Sequence, residues 1–254
     1  MSKPITLERL RKYNSIAGAL HLSQAVAVLL LSKDFLLPIS GSFLSFNKAT
    51  QSLEPTTKVL FDLSLPLLIA IFLFLSAAAH FLIATVYNKQ YNAQVSKGIN
   101  IARWIEYSLS ASIMIVGIAL LVGIYDVMSL VMLFALVGIM NLLGLVMEVH
   151  NQTTKKTNWL SYWVGCIAGI VPWIVVAFTL WLGADNGSSA PTFVYWIFVS
   201  IFLFFNTFAI NMALQYKKVG PWKNYLYGEL VYIILSLVAK SLLAWQVFAG
   251  TLRP

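Results

Sequence analysis

Seven long apolar stretches punctuate the chain, at about 10–32, 62–87, 97–122, 126–149, 159–183, 192–216 and 223–250. Each is long enough for a helix to cross a hydrocarbon layer, which takes ~20 residues at a rise of ~1.5 Å per residue. The pattern predicts an all-α membrane protein, a seven-transmembrane-helix bundle formed by residues 1–254 as one domain. Most connections are short or turn-rich, as at Gly123 to Asp126 and Gly183 to Pro191. The segment Lys33 to Phe61 differs: it is polar, contains Pro38, Gly41 and Pro55, and alternates as Ser-Phe-Leu-Ser-Phe over 42–46. That alternation fits a short β-hairpin in the loop after the first helix, and a long irregular loop is the other reading.

Composition agrees with the pattern. The chain is 59% hydrophobic and 10% charged, with a mean hydropathy of +0.81, which excludes a soluble domain and makes the lipid bilayer its medium. The first thirteen residues carry Lys3, Glu8, Arg9, Arg11 and Lys12 with no apolar core or small-residue cleavage site, so no separable signal peptide is expected. A single cysteine, Cys166, excludes an internal disulfide framework. The net charge of +8 is explained by orientation in the membrane, and no nucleic acid partner is expected. Twelve basic residues fall on the side of the N-terminus, among them Lys89, Lys97, Lys155, Lys156, Lys217, Lys218 and Lys223. Four fall on the other: Lys33, Lys48, Lys58 and Arg253. The positive-inside rule then places the N-terminus in the cytoplasm and the C-terminus outside, in a multi-pass cell-membrane protein.

One basic residue belongs to neither side. Lys240 lies near the middle of the apolar run Val231 to Gly250, where a lysine costs roughly 2.5–3.5 kcal/mol on insertion scales and marks a functional site. A lone buried lysine suits an imine with a carbonyl ligand, and the best-known such ligand of a membrane bundle is retinal. Glu106, in the first third of the third span, is its expected partner, because the pair neutralises two charges in a low-dielectric site. The alternative partner for Glu106 is Arg103, three residues earlier. One turn before Lys240 stands Ser236, so the seventh span adds a hydroxyl and no second acid.

His21 and His80 also fall within spans. They read either as satisfied core imidazoles or, with Ser23, Ser76 and Ser236, as a hydrated polar pocket beside the lysine, containing a proton acceptor. Neither has Cys or His at metal-ligand spacing, so no metal is expected. His150 reads as a solvated end-of-helix residue. A further polar cluster, Arg103, Glu148, Tyr225 and Glu229, gathers at cytoplasmic helix ends, as a structural clamp or a gate. No Ser-His-Asp set or phosphate-binding glycine loop occurs, so no enzymatic activity is expected.

These residues resemble the microbial rhodopsin pattern of seven spans, an Arg-x-x-acid in the third (Arg103, Glu106) and a mid-span lysine in the seventh. More narrowly, the chain resembles the heliorhodopsins over almost its whole length. The strings that carry the likeness begin at Arg103 (Arg-Trp-Ile-Glu-Tyr-Ser-Leu-Ser), Gly165 (Gly-Cys-Ile-Ala-Gly-Ile-Val-Pro-Trp), Phe202 (Phe-Leu-Phe-Phe-Asn-Thr-Phe-Ala) and Ser236 (Ser-Leu-Val-Ala-Lys-Ser-Leu-Leu-Ala-Trp-Gln). The resemblance implies all-trans retinal on Lys240 as a protonated Schiff base with Glu106 as counterion. It implies a pocket drawing on Tyr107, Ser110, Met140, Gly144, Gly169, Pro172 and Phe205. An inverted topology, a homodimer, a structured loop after the first helix and a slow photocycle also follow from it. The expected function is light sensing through an unidentified cytoplasmic signalling partner.

The ion-pumping rhodopsins usually carry an acid where this chain has Ser236, and the proton pumps another where it has Gly117. Vectorial transport is therefore not expected, although a light-driven transporter or channel is the second reading. A retinal-free seven-helix receptor or transporter is the third. The chain lacks the Asp-Arg-Tyr and Asn-Pro-x-x-Tyr strings of G-protein-coupled receptors.

Overall fold

The computed structural model describes residues 5–254. Lys3, counted above toward orientation, lies outside them. The chain runs α1 (Leu7–Leu31), β1 (Leu36–Asn47), β2 (Ser52–Ser64), α2 (Leu65–Ala84), α3 (Asn88–Val95), α4 (Ile101–Leu121), α5 (Val127–His150), α6 (Leu160–Asp185), α7 (Thr192–Tyr216) and α8 (Tyr225–Val247), with a π-helical tail Phe248–Leu252. Among the described residues, seven helices are long and apolar enough to cross a membrane: α1, α2 and α4 to α8. They correspond to the seven apolar stretches. The additional helix α3 is short and polar, so a reading by hydropathy passes over it.

Polar caps mark where several spans begin. The Thr6, Ser64, Asn100, Asp126 and Asn224 side chains accept backbone N–H groups at the first turns of α1, α2, α4, α5 and α8, satisfying donors that a helix leaves unpaired. The helices close a ring, with α1 against α2 and α8, α2 against α4, then α4, α5 and α6 in succession, and α7 against α8. Between α6 and α7 the contact is thin.

The segment after α1 is a hairpin, and it is not short. Its two strands of 12 and 13 residues pair antiparallel from Leu36↔Ser64 to Asn47↔Ser52, with a bulge at Ile39/Ser40. The tip is tied by Asn47, which accepts from Ala49 N at 2.9 Å and donates to Glu54 at 2.9 Å. The base is docked on the bundle: Ser40 N donates to Tyr125 O at 2.9 Å, and Ser42 N to Asp126 Oδ1 at 3.2 Å. Asp126 also caps α5 through Ser129 N at 3.0 Å. These donors, Ser129 N foremost, hold the Asp126 carboxyl below its usual range.

Candidate functional site

Lys240 and Glu106 meet in the interior. The Lys240 Nζ donates to Glu106 Oε1 at 2.6 Å and to Ser236 Oγ at 3.1 Å. Both side chains of the ion pair are nearly inaccessible, 4% and 9% exposed. Glu106 is the sixth residue of α4 and Lys240 the sixteenth of α8, but side chains on a helix lean toward its N-terminus, so the long lysine stem reaches back to the carboxylate. Ser76 on α2 donates to the same Glu106 oxygen at 2.6 Å. The ammonium also stands 5.2 Å from the centre of the Tyr107 ring. One carboxylate thus faces one amine, with hydroxyls on two sides.

The histidines lie beside this pair. His21 and His80 stack with ring centres 5.6 Å apart. His80 Nδ1 lies 2.7 Å from Asn14 Oδ1 and donates to it, since an amide oxygen only accepts. Neither ring nitrogen of the buried His21 has a partner among the described residues. A small cavity of about 30 Å³ runs past His80, Asn14 and Glu106 toward Arg103 and Glu229. Asn14, invisible to reasoning along one helix, belongs to this group. Ser23 does not: it is exposed and bonds to Leu20 O within its own helix.

On the other side of the lysine, the interior turns apolar. A cavity of about 40 Å³ is bounded by Lys240, Tyr107, Ser110, Met140 and Phe205. It shares Met140, Asn141, Phe205 and Phe208 with a larger one of about 120 Å³ that reaches Gly144, Gly165, Gly169 and Trp173 where α6 and α7 part. Pro172 lies buried inside α6, directly before Trp173. Glycine at 144 and 169 has a local cause: a Cβ there would run into the Trp104 ring and Met140 Sδ, respectively. These two glycines therefore make room for protein side chains in this structure, and only through them for the cavity. Asn141, Phe208, Trp173 and Phe202 complete the walls. Phe202 and Trp173 are recognisable in the sequence only as aromatics of α6 and α7, because which face turns inward depends on the packing.

A second buried cluster sits nearer the N-terminal end of α4. Arg103 is held between Glu148 and Glu229, with an ion pair to each, and so does not compete for Glu106. Its guanidinium lies 4.0 Å from the centre of the Tyr232 ring and 4.7 Å from that of Trp104. Glu148 further accepts from Trp104 Nε1 at 2.7 Å, Asn100 N at 2.9 Å and Tyr225 OH at 3.0 Å. Asn100 Nδ2 donates to Glu229 at 2.6 Å. The cluster thus ties α4, α5 and α8 together, and Asn100 and Trp104 are members that charge-based reasoning missed. His150 is exposed at the end of α5.

The site's residues suit retinal. An amine capable of imine formation stands beside one carboxylate at the end of an apolar, aromatic-walled space, and Ser110 Oγ, on the wall, is buried without a partner among the described residues. Seven spanning helices around such a lysine define the rhodopsin class of membrane proteins. The sequence model of one rhodopsin family matches residues 10–252, nearly the whole chain, and the chain belongs to that family, the heliorhodopsins. A search of curated proteins found no match. Membership implies a retinal-binding rhodopsin, a light-responsive membrane protein and not a conventional enzyme.

Proposed function

We propose that the chain is a light-sensing photoreceptor, one domain of residues 1–254, that signals by conformational change without pumping ions. All-trans retinal is held at Lys240 as a protonated Schiff base with Glu106 as counterion. The observation that carries the reading is the buried Lys240–Glu106 pair at the head of the apolar cavity. Bound retinal supplies absorption of visible light and isomerisation about a polyene double bond. The protein's own groups do the rest. Glu106 fixes the positive charge at the nitrogen end, and Ser76 and Ser236 orient the pair. Tyr107, Ser110, Met140, Gly144, Gly169, Pro172 and Phe205 define the slot.

On the nitrogen's far side, His80 and His21 are the candidates to take up a proton that leaves it. The proton then stays in an inner polar pocket, because the groups a relay needs are missing. Ser236 is a hydroxyl, and Gly117 faces Leu68. Arg103, Glu148, Tyr225 and Glu229 form a structural clamp that holds α4, α5 and α8 together through a slow photocycle. The reading includes a homodimer and a cytoplasmic signalling partner, both carried over from the family.

Three expected results test it. Illuminating unbuffered suspensions of cells that make the protein should give no sustained pH change. An uncoupler-sensitive change would put the light-driven transporter or channel first. Glu106→Gln should shift the visible band to the red, because the carboxylate stabilises the ground state, with its charge at the nitrogen, more than the excited state; Glu148→Gln should leave the colour nearly unchanged. An unshifted band in the first variant would remove Glu106 from the counterion role. The orientation rests on the excess of basic residues at one end of the bundle. An epitope tag on the C-terminus should be reachable from outside intact cells, and its protection would reverse the topology.

A further inference from the structure

The end of the bundle with the basic excess holds a pocket of about 420 Å³, apart from the Lys240 site and bordering the Arg103 cluster at Tyr225. Four lysines line it: Lys97 from the α3–α4 loop, Lys155 from the α5–α6 loop, and Lys218 and Lys223 from the α7–α8 loop. No carboxylate is among its lining residues, and none of the four lysines makes an ion pair among the described residues. A topology signal alone needs only lysines somewhere in these loops. Here three loops bring four exposed lysines around one concavity.

The floor of this pocket is already occupied with its own bonding. Tyr225 OH is given to Glu148, Tyr216 OH to Met147 O at 3.2 Å, and the Asn151 amide to Met147 O at 2.9 Å. Gln152 Nε2 donates to Glu148 O at 3.3 Å. Tyr216, Asn151 and Gln152 thereby cap the carbonyl end of α5, whose partial negative charge would otherwise oppose an anion. Meanwhile α8 begins at the pocket, at Tyr225, and a helix start favours negative charge; the start of α4 is already given to Glu148, which accepts from Asn100 N. The charged donors of the lining are the four ammonium groups, compact point charges on flexible stems, and the Thr157 hydroxyl stands beside them. Such groups suit a multiply charged oxyanion better than a planar carboxylate, which arginine forks recognise best. The volume lies in the range of small-molecule sites.

We propose that this pocket binds a phosphoryl group, from either a soluble phosphate compound or a phospholipid headgroup. The inference does not depend on retinal. Calorimetric titration of the full-length, retinal-loaded protein in detergent with pyrophosphate, at constant ionic strength, should show saturable binding of one anion per chain, at least tenfold tighter than sulfate. The double variant Lys155→Gln/Lys218→Gln should weaken binding at least tenfold with its thermal midpoint unchanged. The double variant Lys48→Gln/Lys58→Gln, in the hairpin, should bind as the parent does. Absence of binding, equal affinity for sulfate, or equal weakening by both pairs of substitutions would overturn the proposal in favour of diffuse surface charge. The source is read in nanodiscs of phosphatidylcholine with and without phosphatidic acid. Loss of pyrophosphate binding in the acidic discs identifies the headgroup as occupant, and retention identifies a soluble phosphate.

Discussion

Lys240→Ala protein purified with all-trans retinal should have no visible absorption band. Lys240 is the amine the structure brings to the apolar cavity, 3% exposed and about mid-helix in α8. No other lysine among the described residues is buried, so a neighbour has no route to substitute for it. Free retinal held without the imine would absorb only in the ultraviolet. Alanine is a good helix former, so the backbone of α8 should persist. The loss of the ammonium has a second effect, because Glu106 keeps the Ser76 hydroxyl but loses its cation. A buried charge stripped of its partner typically costs about 3–5 kcal/mol unless it takes up a proton. Lys240→Ala/Glu106→Gln should therefore be more stable to heat than Lys240→Ala, while still lacking colour. A normal visible band in either variant would end the reading of Lys240 as the attachment point.

The fold was legible where physics acts locally. Seven apolar runs of helical length lead to seven spanning helices because, in hydrocarbon, a chain must satisfy its backbone within itself. The hairpin was legible as an alternation over 42–46, but not in its length. Its strands extend through Pro38, Pro55 and a bulge, and are held by Asp126, some 84 residues away from Ser42. Lys240 stood out because a charge is costly in an apolar run, and Glu106 because few acids lie within spans. Asn14 gave no such signal. It is one polar residue near the start of α1, and its relation to His80 across 66 positions exists only after α1 packs on α2. Trp104 carries no such signal either. Its indole N–H reaches Glu148, and its ring fills the space left by Gly144, only because α4 lies against α5.

Arg103→Ala should produce the largest loss of stability among single substitutions in the second cluster. The guanidinium is 5% exposed, and it is the cation shared by Glu148 and Glu229, each 1% exposed. Removing it leaves two carboxylates buried near each other, with Asn100, Trp104 and Tyr225 as neutral donors. Breaking one such buried pair costs about 3–5 kcal/mol, because the remaining charge has lost its compensation and cannot reach water. Two stranded charges on α5 and α8 should place the effect at or above the upper end of that range. Glu148→Gln should cost less, since Arg103 keeps Glu229 and the amide can still accept from Trp104. The whole network removed together, as Arg103→Met/Glu148→Gln/Glu229→Gln, should recover much of the loss, because no unpaired charge remains. Thermal unfolding of the retinal-loaded proteins, followed by loss of colour, measures all three. If Arg103→Ala unfolded at the parent's temperature, the cluster would not be a clamp. The network would then be free to rearrange during function, and the gate reading would replace it.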